Sequence, residues 1–382
     1  MSPKIFDIGA IRPPSEMTSL LLRITENCTW NKCNFCTLYQ NQKFKMRNIN
    51  DIKKDIDNMF YYKELIFSRI EENKFNIEKA KSDFDNLSEI EKECYTMIYS
   101  WIFEGKMKSL FLQDANSIIV KSDILSDIII YIKNKFPEIE KITTYGRADT
   151  LSNIKIEDYM KLKNAGLTRI HSGFESSSDN VLKLINKGTT QLQQIDCGLK
   201  IKEANIEFSI YFMPGCGGRK FSYENAIETA KVINKIEPNF IRLRTFVVKY
   251  NSYMENLVKQ NKFVECTDIE KLKEIKLLIE NIDNCNSYII SDHIINLLKN
   301  IEGNLKIDKN SIISYIDEFL NLNEHKQKIF QILRRSGYND DYKNINKIPS
   351  TVINNVKDYI DKIYNNKHNF EDVLKNYLNN YI

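Results

Sequence analysis

The sequence predicts an α/β fold: a partial (β/α)6 barrel of parallel strands with helices outside, followed by a helical C-terminal module. Three observations carry this. Over roughly the first 250 residues, short apolar runs alternate six times with stretches of helical apolar spacing. Pro and Gly stand between the two kinds of segment, where a helix must stop. Beyond residue 251 the alternation ends and only helical spacing continues.

The elements follow in order. Residues 19–25 read as the first strand, through Leu20, Leu21 and Leu22. Residues 49–70 carry a helical face of Ile52, Ile56, Met59, Phe60 and Ile66. A charged insertion at about 71–106 has an apolar face of Cys94, Met97, Ile98, Trp101 and Ile102, and reads as a helical excursion. The second strand is 108–113, the third 141–146 and the fourth 167–171. A helix at 122–136 is ended by Pro137, and one at 156–165 by Gly166. Helices at 179–186 and 190–204 precede the fifth strand, 206–212, and the turn 214–218. Ser222 is expected to cap a helix running to Ile236, with Glu224 in its first turn and Pro238 beyond. Residues 239–244 make the sixth strand. Segments 268–281, 292–300, 308–320, 324–335 and 351–364 read as helices. The expected organisation is an N-terminal extension over 1–17, a core over 18–250 and a helical module over 251–382.

Bulk properties bound the function. A chain of 382 residues, 42% hydrophobic and 28% charged, can bury a large core as a soluble globular protein. The formal charge of +4 is dispersed over many Lys, Asp and Glu and reads as a solvated surface, with only weak support for an anionic partner. No run approaches the roughly 20 apolar residues that a membrane helix needs, so no membrane partner is expected. The N-terminus lacks a basic-then-apolar leader. The expected compartment is the cytoplasm, where eight cysteines stay reduced and favour metal ligation.

Cys28, Cys33 and Cys36 lie together in Cys28-Thr-Trp-Asn-Lys-Cys33-Asn-Phe-Cys36, directly after the first strand. Parallel-barrel enzymes put their chemistry at this end of a strand. A closed zinc site takes four protein ligands, and a distant His171 or Cys216 is the way this triplet would complete one. A [4Fe–4S] cluster held by three thiolates leaves one iron open for a small molecule. The other cysteines lack short spacing and read as small buried hydrophobes. Cys216 differs, standing in the Gly-rich turn at the rim, and with His171 it is a candidate catalytic group.

A cluster loop after the first strand of a six-repeat β/α chain is similar to the radical S-adenosylmethionine (SAM) superfamily. Its usual motif is Cys-x3-Cys-x2-Cys. The first gap here has four residues, a subfamily mark, while the second gap keeps the aromatic Phe35 before the last Cys. The stretch from Arg169 through Glu175 to Gly188 resembles the fourth-strand region of methylthiotransferases and of cobalamin-type relatives. The resemblance implies a TIM-like barrel over about 18–248, a [4Fe–4S] cluster on Cys28, Cys33 and Cys36, and SAM on the open iron. It assigns Glu175 and Ser172 to the ribose or carboxylate of SAM. Gln113 and Asp114 match the Gly-Gly-Glu segment that meets its amino group, although the Gly-Gly is absent. Ile210 and Met213 match the adenine wall. Phe35, Arg147 and Arg244 are further candidates for cofactor contact. Glu175 has a second reading as a helix-start residue favouring the dipole, Phe35 as loop packing, and Arg147 as a partner for Asp149. The tail, through Ser291–Leu298 and Arg334-Arg335-Ser-Gly337, resembles the end of an uncharacterised radical SAM group.

The implied reaction is reductive cleavage of SAM to a 5′-deoxyadenosyl radical that abstracts hydrogen from a substrate. A reductant such as flavodoxin or ferredoxin is the implied partner. The substrate, small molecule or RNA, stays open. About 18 residues precede the first strand, which argues against an N-terminal cobalamin domain. A tRNA-modifying enzyme and a non-catalytic zinc or iron–sulfur protein are the alternatives.

Overall fold

Two buried strands of this protein are unbroken apolar runs, which is how a parallel sheet covered on both faces reads in sequence. Leu20, Leu21 and Leu22 are at most 2% exposed, and Leu110, Phe111 and Leu112 are fully enclosed. The structure is a computed structural model describing residues 3–71, 74–338 and 340–379. The first two residues of the expected extension, Glu72 and Asn73 of the insertion, and Asn339 and residues 380–382 of the C-terminal module lie outside it. The fold is α/β with a mostly parallel sheet of eight strands. They are β1 (Leu20–Arg23), β2 (Ser109–Gln113), β3 (Lys141–Tyr145), β4 (Arg169–Glu175), β5 (Glu207–Phe212), β6 (Phe240–Leu243), β7 (Tyr288–Ile290) and β8 (Gly303–Asn304).

The chain divides into two compact units. The first takes the residues through Asn31, Asn41–Ser172 and Lys200–Glu207. Its strands pair in parallel, with Leu20 opposite Leu110, Leu110 opposite Ile142 and Thr143 opposite Arg169. Helices α1 (Ile49–Phe67), α2 (Ile77–Asp85), α3 (Glu89–Phe103), α4 (Ser122–Lys135) and α5 (Ile156–Ala165) belong here. The Asn48 side chain caps α1 by accepting the Asn50 N–H. Ile52, Ile56, Met59 and Ile66 of α1 are buried, as its spacing predicts. Gly166 closes α5 at φ 125°, a conformation a side chain would strain. The insertion folds as α2 and α3, and Cys94, Ile98, Trp101 and Ile102 of α3 are buried.

The second unit takes Lys32–Gln40, Gly173–Leu199 and the chain from Phe208 onward. β5, β6 and β7 pair in parallel, and β8 returns antiparallel on β7. The unit holds α6 (Asp179–Leu184), most of α7 (Gln191–Glu203), α8 (Gly218–Ile236), α9 (Tyr253–Lys259), α10 (Asp268–Glu280), α11 (Leu305–Leu320), α12 (Glu324–Arg335), α13 (Ser350–Asn365) and α14 (Phe370–Asn379). Arg335 on α12 and Asp268 on α10 form a buried ion pair at 2.8 Å. Burial works to raise the Asp268 carboxyl, yet Arg335 and Lys271 outweigh it and hold it below the ordinary carboxylate range.

Three expectations are corrected. β7 and β8 are additional strands, from an apolar run too short to stand out among helices. Residues 292–300 are not helical, because arginine side chains of α12 occupy the carbonyls a helix would use internally. Helix α8 begins at Gly218, so Ser222 lies inside it. Its hydroxyl donates to Glu274 of α10.

Glu274 fixes the turn between β5 and α8. It is 2% exposed and accepts the Gly215 N–H at 2.9 Å and the Asn225 side-chain amide at 2.6 Å. Burial nevertheless pushes its carboxyl up to about 7. An acid raised in the folded state is a penalty absent below the unfolded value of about 4.5 and complete above about 7. The wild type should therefore lose about 3 kcal/mol relative to Glu274→Gln as pH rises through that window. Urea unfolding of both proteins at about pH 5 and about pH 8 measures it. A difference that does not change with pH would show an ordinary carboxyl.

Candidate functional site

In the first unit, the segment leaving β1 is held by a buried carboxylate. Asp114, fully enclosed at the end of β2, accepts the Asn27 N–H at 2.9 Å and pairs with Arg23 at 3.2 Å. Asn27 and Asn31 sit at φ 68° and 48°, where Asn is the side chain best tolerated after Gly. The Asn31 N–H points at Cys28 Sγ, 3.4 Å away. The side chain of Asn116 donates to Thr29 and Thr150 and accepts the Arg147 N–H. Arg147 lies 5.5 Å from the Trp30 ring centre and pairs with Asp149 at 3.0 Å.

Other candidates in this unit are used by the chain itself. Gln113 exchanges hydrogen bonds with Gly9 and donates to the Ile11 carbonyl, so it braces the N-terminal segment. His171 is fully buried, with Nε2 3.2 Å from Glu16 and its ring beside Phe111 and Tyr145. Ser172 is also enclosed, and its hydroxyl has no hydrogen-bond partner among the described residues. An orphaned buried hydroxyl within a central strand fits a site that a ligand completes.

In the second unit, Asn34 anchors the segment carrying Cys33 and Cys36. Its N–H donates to Ile185 O at 2.8 Å, its side-chain amide to Leu184 O at 2.8 Å, and its carbonyl accepts the Met254 N–H at 3.1 Å. The Asn186 amide adds a bond to Lys32 O at 2.7 Å. The Cys36 N–H turns back to Cys33 O at 3.1 Å. Phe35 packs into an apolar cluster containing Met213, Cys216, Phe246 and Met254, and meets Phe246 edge-on. Cys28, Cys33 and Cys36 form no disulfide and are partly exposed, whereas the other five cysteines are buried. Soft, accessible thiols on short loops suit an iron–sulfur cluster. Among the described residues, no three His, Cys, Asp or Glu side chains are gathered closely enough for a single metal ion.

Glu175 ends β4 at φ 63°, a left-handed conformation that costs a non-glycine residue about 1–3 kcal/mol. Its carbonyl accepts the Met213 N–H at 2.8 Å and the Cys216 thiol at 3.6 Å, which hold it there. Lys187 binds Glu175 Oε1 at 2.9 Å. Oε2 has no partner among the described residues. Burial pushes the Cys216 thiol well up, and Glu274 and Glu175 add to the shift, so it stays protonated near neutral pH. Ile210 is fully buried on β5, opposite Ile241 of β6.

The ends of β6 are basic. Arg242 pairs with Asp292 at 2.5 Å and reaches Ser209. Arg244 leaves the strand half-buried, and burial together with the Arg244 charge lowers both the Lys249 ammonium and the His293 ring. Sequence reasoning missed Lys187, Lys249 and Glu274. A lysine directly after α6, in Asn186-Lys187-Gly188, was the available signal for the first. The other two become visible only once distant segments fold together.

The family model described as the radical SAM superfamily matches residues 22–230. No curated protein matches the chain. Solved structures match weakly. Elp3 of the archaeon Methanocaldococcus infernus is 15% identical at TM-score 0.43, covering 58% of this chain and 57% of its own. The methyltransferase TsrM from Kitasatospora setae, solved with cobalamin and a [4Fe-4S] cluster, is 11% identical at TM-score 0.39, covering 59% and 36%. The cobalamin-dependent SAM radical enzyme OxsB is 14% identical at TM-score 0.43, covering 96% and 59%. The chain thus spans less than two thirds of each of these relatives. With the family model taking in more than half of its length and both ends of the cysteine triplet, this chain belongs to the radical SAM superfamily.

Proposed function

We propose that this protein is an enzyme that cleaves SAM reductively and uses the radical so formed to take a hydrogen atom from its substrate. One observation carries the reading. Three accessible thiols stand on short, internally hydrogen-bonded loops, while the remaining cysteines serve as core. Membership of the superfamily implies SAM and an iron–sulfur cluster. Cys28, Cys33 and Cys36 are the residues that would hold a [4Fe–4S] cluster, leaving one iron for SAM. When bound, the reduced cluster supplies one electron that splits the S–C5′ bond of SAM into methionine and a 5′-deoxyadenosyl radical.

The chain's own groups orient and shield. Asn34 fixes the Cys33–Cys36 backbone, which would lower the ordering cost of cluster binding. Phe35 and Met213, packed in one apolar cluster, would exclude water from a reactive intermediate. Lys187 binds Glu175 through Oε1, and Oε2 would accept the hydroxyl protons of a ribose. A small reductant of the flavodoxin or ferredoxin class would deliver the electron.

Anaerobic reconstitution with iron and sulfide, reduction with dithionite and addition of SAM tests this. The wild type should hold about four irons and release 5′-deoxyadenosine, and Cys33→Ala should lose both. Cys94→Ala, in the core of the first unit, should keep its iron. Stoichiometric zinc with no cluster would decide for a structural site instead.

Glu175→Gln keeps an acceptor for Lys187 but loses the carboxylate charge. It should retain iron and raise KM for SAM about tenfold, the scale of one charge-assisted hydrogen bond. An unchanged KM would remove Glu175 from the SAM site.

A further inference from the structure

The four-residue gap between Cys28 and Cys33 leaves the first thiol outside the tight turn that joins Cys33 to Cys36. Its placement therefore needs an anchor of its own. Residues 114–117, directly after β2, supply one. Backbone pairing carries β1 alongside β2 to Ile24, whose N–H donates to Gln113 O at 2.6 Å. From there, side-chain contacts follow at every second residue. Thr25 Oγ1 lies 3.5 Å from Ser117 Oγ, Asp114 accepts the Asn27 N–H at 2.9 Å, and Asn116 Nδ2 donates to Thr29 Oγ1 at 3.0 Å. Cys28 thus stands between two tethered residues. Thr25, Asp114, Asn116 and Ser117 are all fully enclosed, where a hydrogen bond once made is costly to leave unmade.

Asn116 is the centre of this run. Its amide nitrogen also donates to Thr150 Oγ1 at 2.9 Å, and its Oδ1 accepts the Arg147 N–H at 2.9 Å. Both donors and the acceptor are engaged, so the enclosed amide has one favoured orientation. Through Arg147 the same residue bears on the next position of the loop, since that guanidinium lies 5.5 Å from the Trp30 ring centre. The turn then closes on sulfur. Asn31, at φ 48°, directs its N–H at Cys28 Sγ from 3.4 Å, and its side chain donates to Gln42 O at 3.0 Å. The four residues of the gap belong to two different constructions: Thr29, Trp30 and Asn31 are held from the first unit, and Lys32 by Asn186 in the second.

We infer that Asn116 is the positioning residue for Cys28: by holding Thr29 it fixes the first thiol separately from the pair that Asn34 holds. The inference rests on the proposed function for the use of Cys28 as a cluster ligand, whereas the tether itself stands on the hydrogen bonds of the first unit.

Alkylation of the full chain by iodoacetamide before reconstitution, followed at each cysteine by mass spectrometry, tests the tether. Thr29→Val keeps the shape of the side chain and removes the oxygen that Asn116 holds, and Thr29→Ser keeps that oxygen. Thr29→Val should speed alkylation of Cys28 about fivefold, the scale of one net hydrogen bond, and leave Cys36 unchanged. Thr29→Ser should match the wild type. Asn34→Ala should do the reverse, speeding Cys36 and leaving Cys28. Unfolding midpoints equal to the wild type show that the variants are folded. Equal Cys28 rates in the wild type and Thr29→Val, or equal acceleration of Cys28 and Cys36 by that variant, overturns the inference. After reconstitution, Thr29→Val should lose iron to a chelator about fivefold faster than the wild type and Thr29→Ser. Equal iron loss from all three, with the alkylation difference in place, would reduce the contact to loop packing and overturn the positioning role. A wild type that takes up no four-iron cluster, with Cys28 alkylation still following Thr29, would retain the tether and reject the cluster reading. Cluster assembly with both rates indifferent to Thr29→Val would retain the cluster and reject the tether.

Discussion

The second half of the cysteine loop depends on one residue. Asn34 uses its N–H, its carbonyl and its amide on three different backbone partners, at the end of α6 and the start of α9. A segment that must keep Cys33 and Cys36 accessible cannot also bury them as packing, so something else must fix it. Hydrogen bonds to backbone do this without covering sulfur. Net, each such bond is worth about 1 kcal/mol, and an unmade one at a buried position costs more. The packing of Phe35 against Phe246 then gives the loop an apolar foothold.

The same logic of fixed backbone and available side chain recurs at Glu175. Its left-handed φ is unfavourable in isolation, and hydrogen bonds from Met213 and Cys216 impose it. Behind them, Glu274 ties the following turn to α10. Buried polar groups are thus concentrated where β4 and β5 end. This is also where the conformational cost lies, as expected of a site that binds rather than a core that only packs.

Much of the fold was legible in the sequence. Short apolar stretches announced β1 through β6, and Gly166 and Pro137 marked helix ends. The failures have physical reasons. β7 has only three residues, too few for periodicity to register. Residues 292–300 have helical composition, but Arg334 and Arg335 outbid internal hydrogen bonding from 40 residues away. Ser222 looks like a cap in sequence, yet Gly218 allows α8 to begin a turn earlier, and its hydroxyl serves Glu274 instead. Of the site, the cysteine triplet and Glu175 were readable because the chemistry needs those residue types at short spacing. The roles of Lys187 and Glu274 were not, because each depends on a partner brought in by folding. His171 and Cys216 looked reactive by type, and both are enclosed.

The grip of α12 on residues 294–296 has a consequence for how this protein can change over evolutionary time. Arg334 donates to the Ile294 and Asn296 carbonyls and Arg335 to that of Ile295, and every residue offers the same carbonyl. The backbone there is therefore held by main-chain recognition, with Asp292 paired to Arg242 and the buried Ile295 as its side-chain anchors, while Ile294 is left exposed. Substitution at Ile294 can alter this surface while the backbone remains in place. Such a segment separates the inheritance of shape from the inheritance of surface.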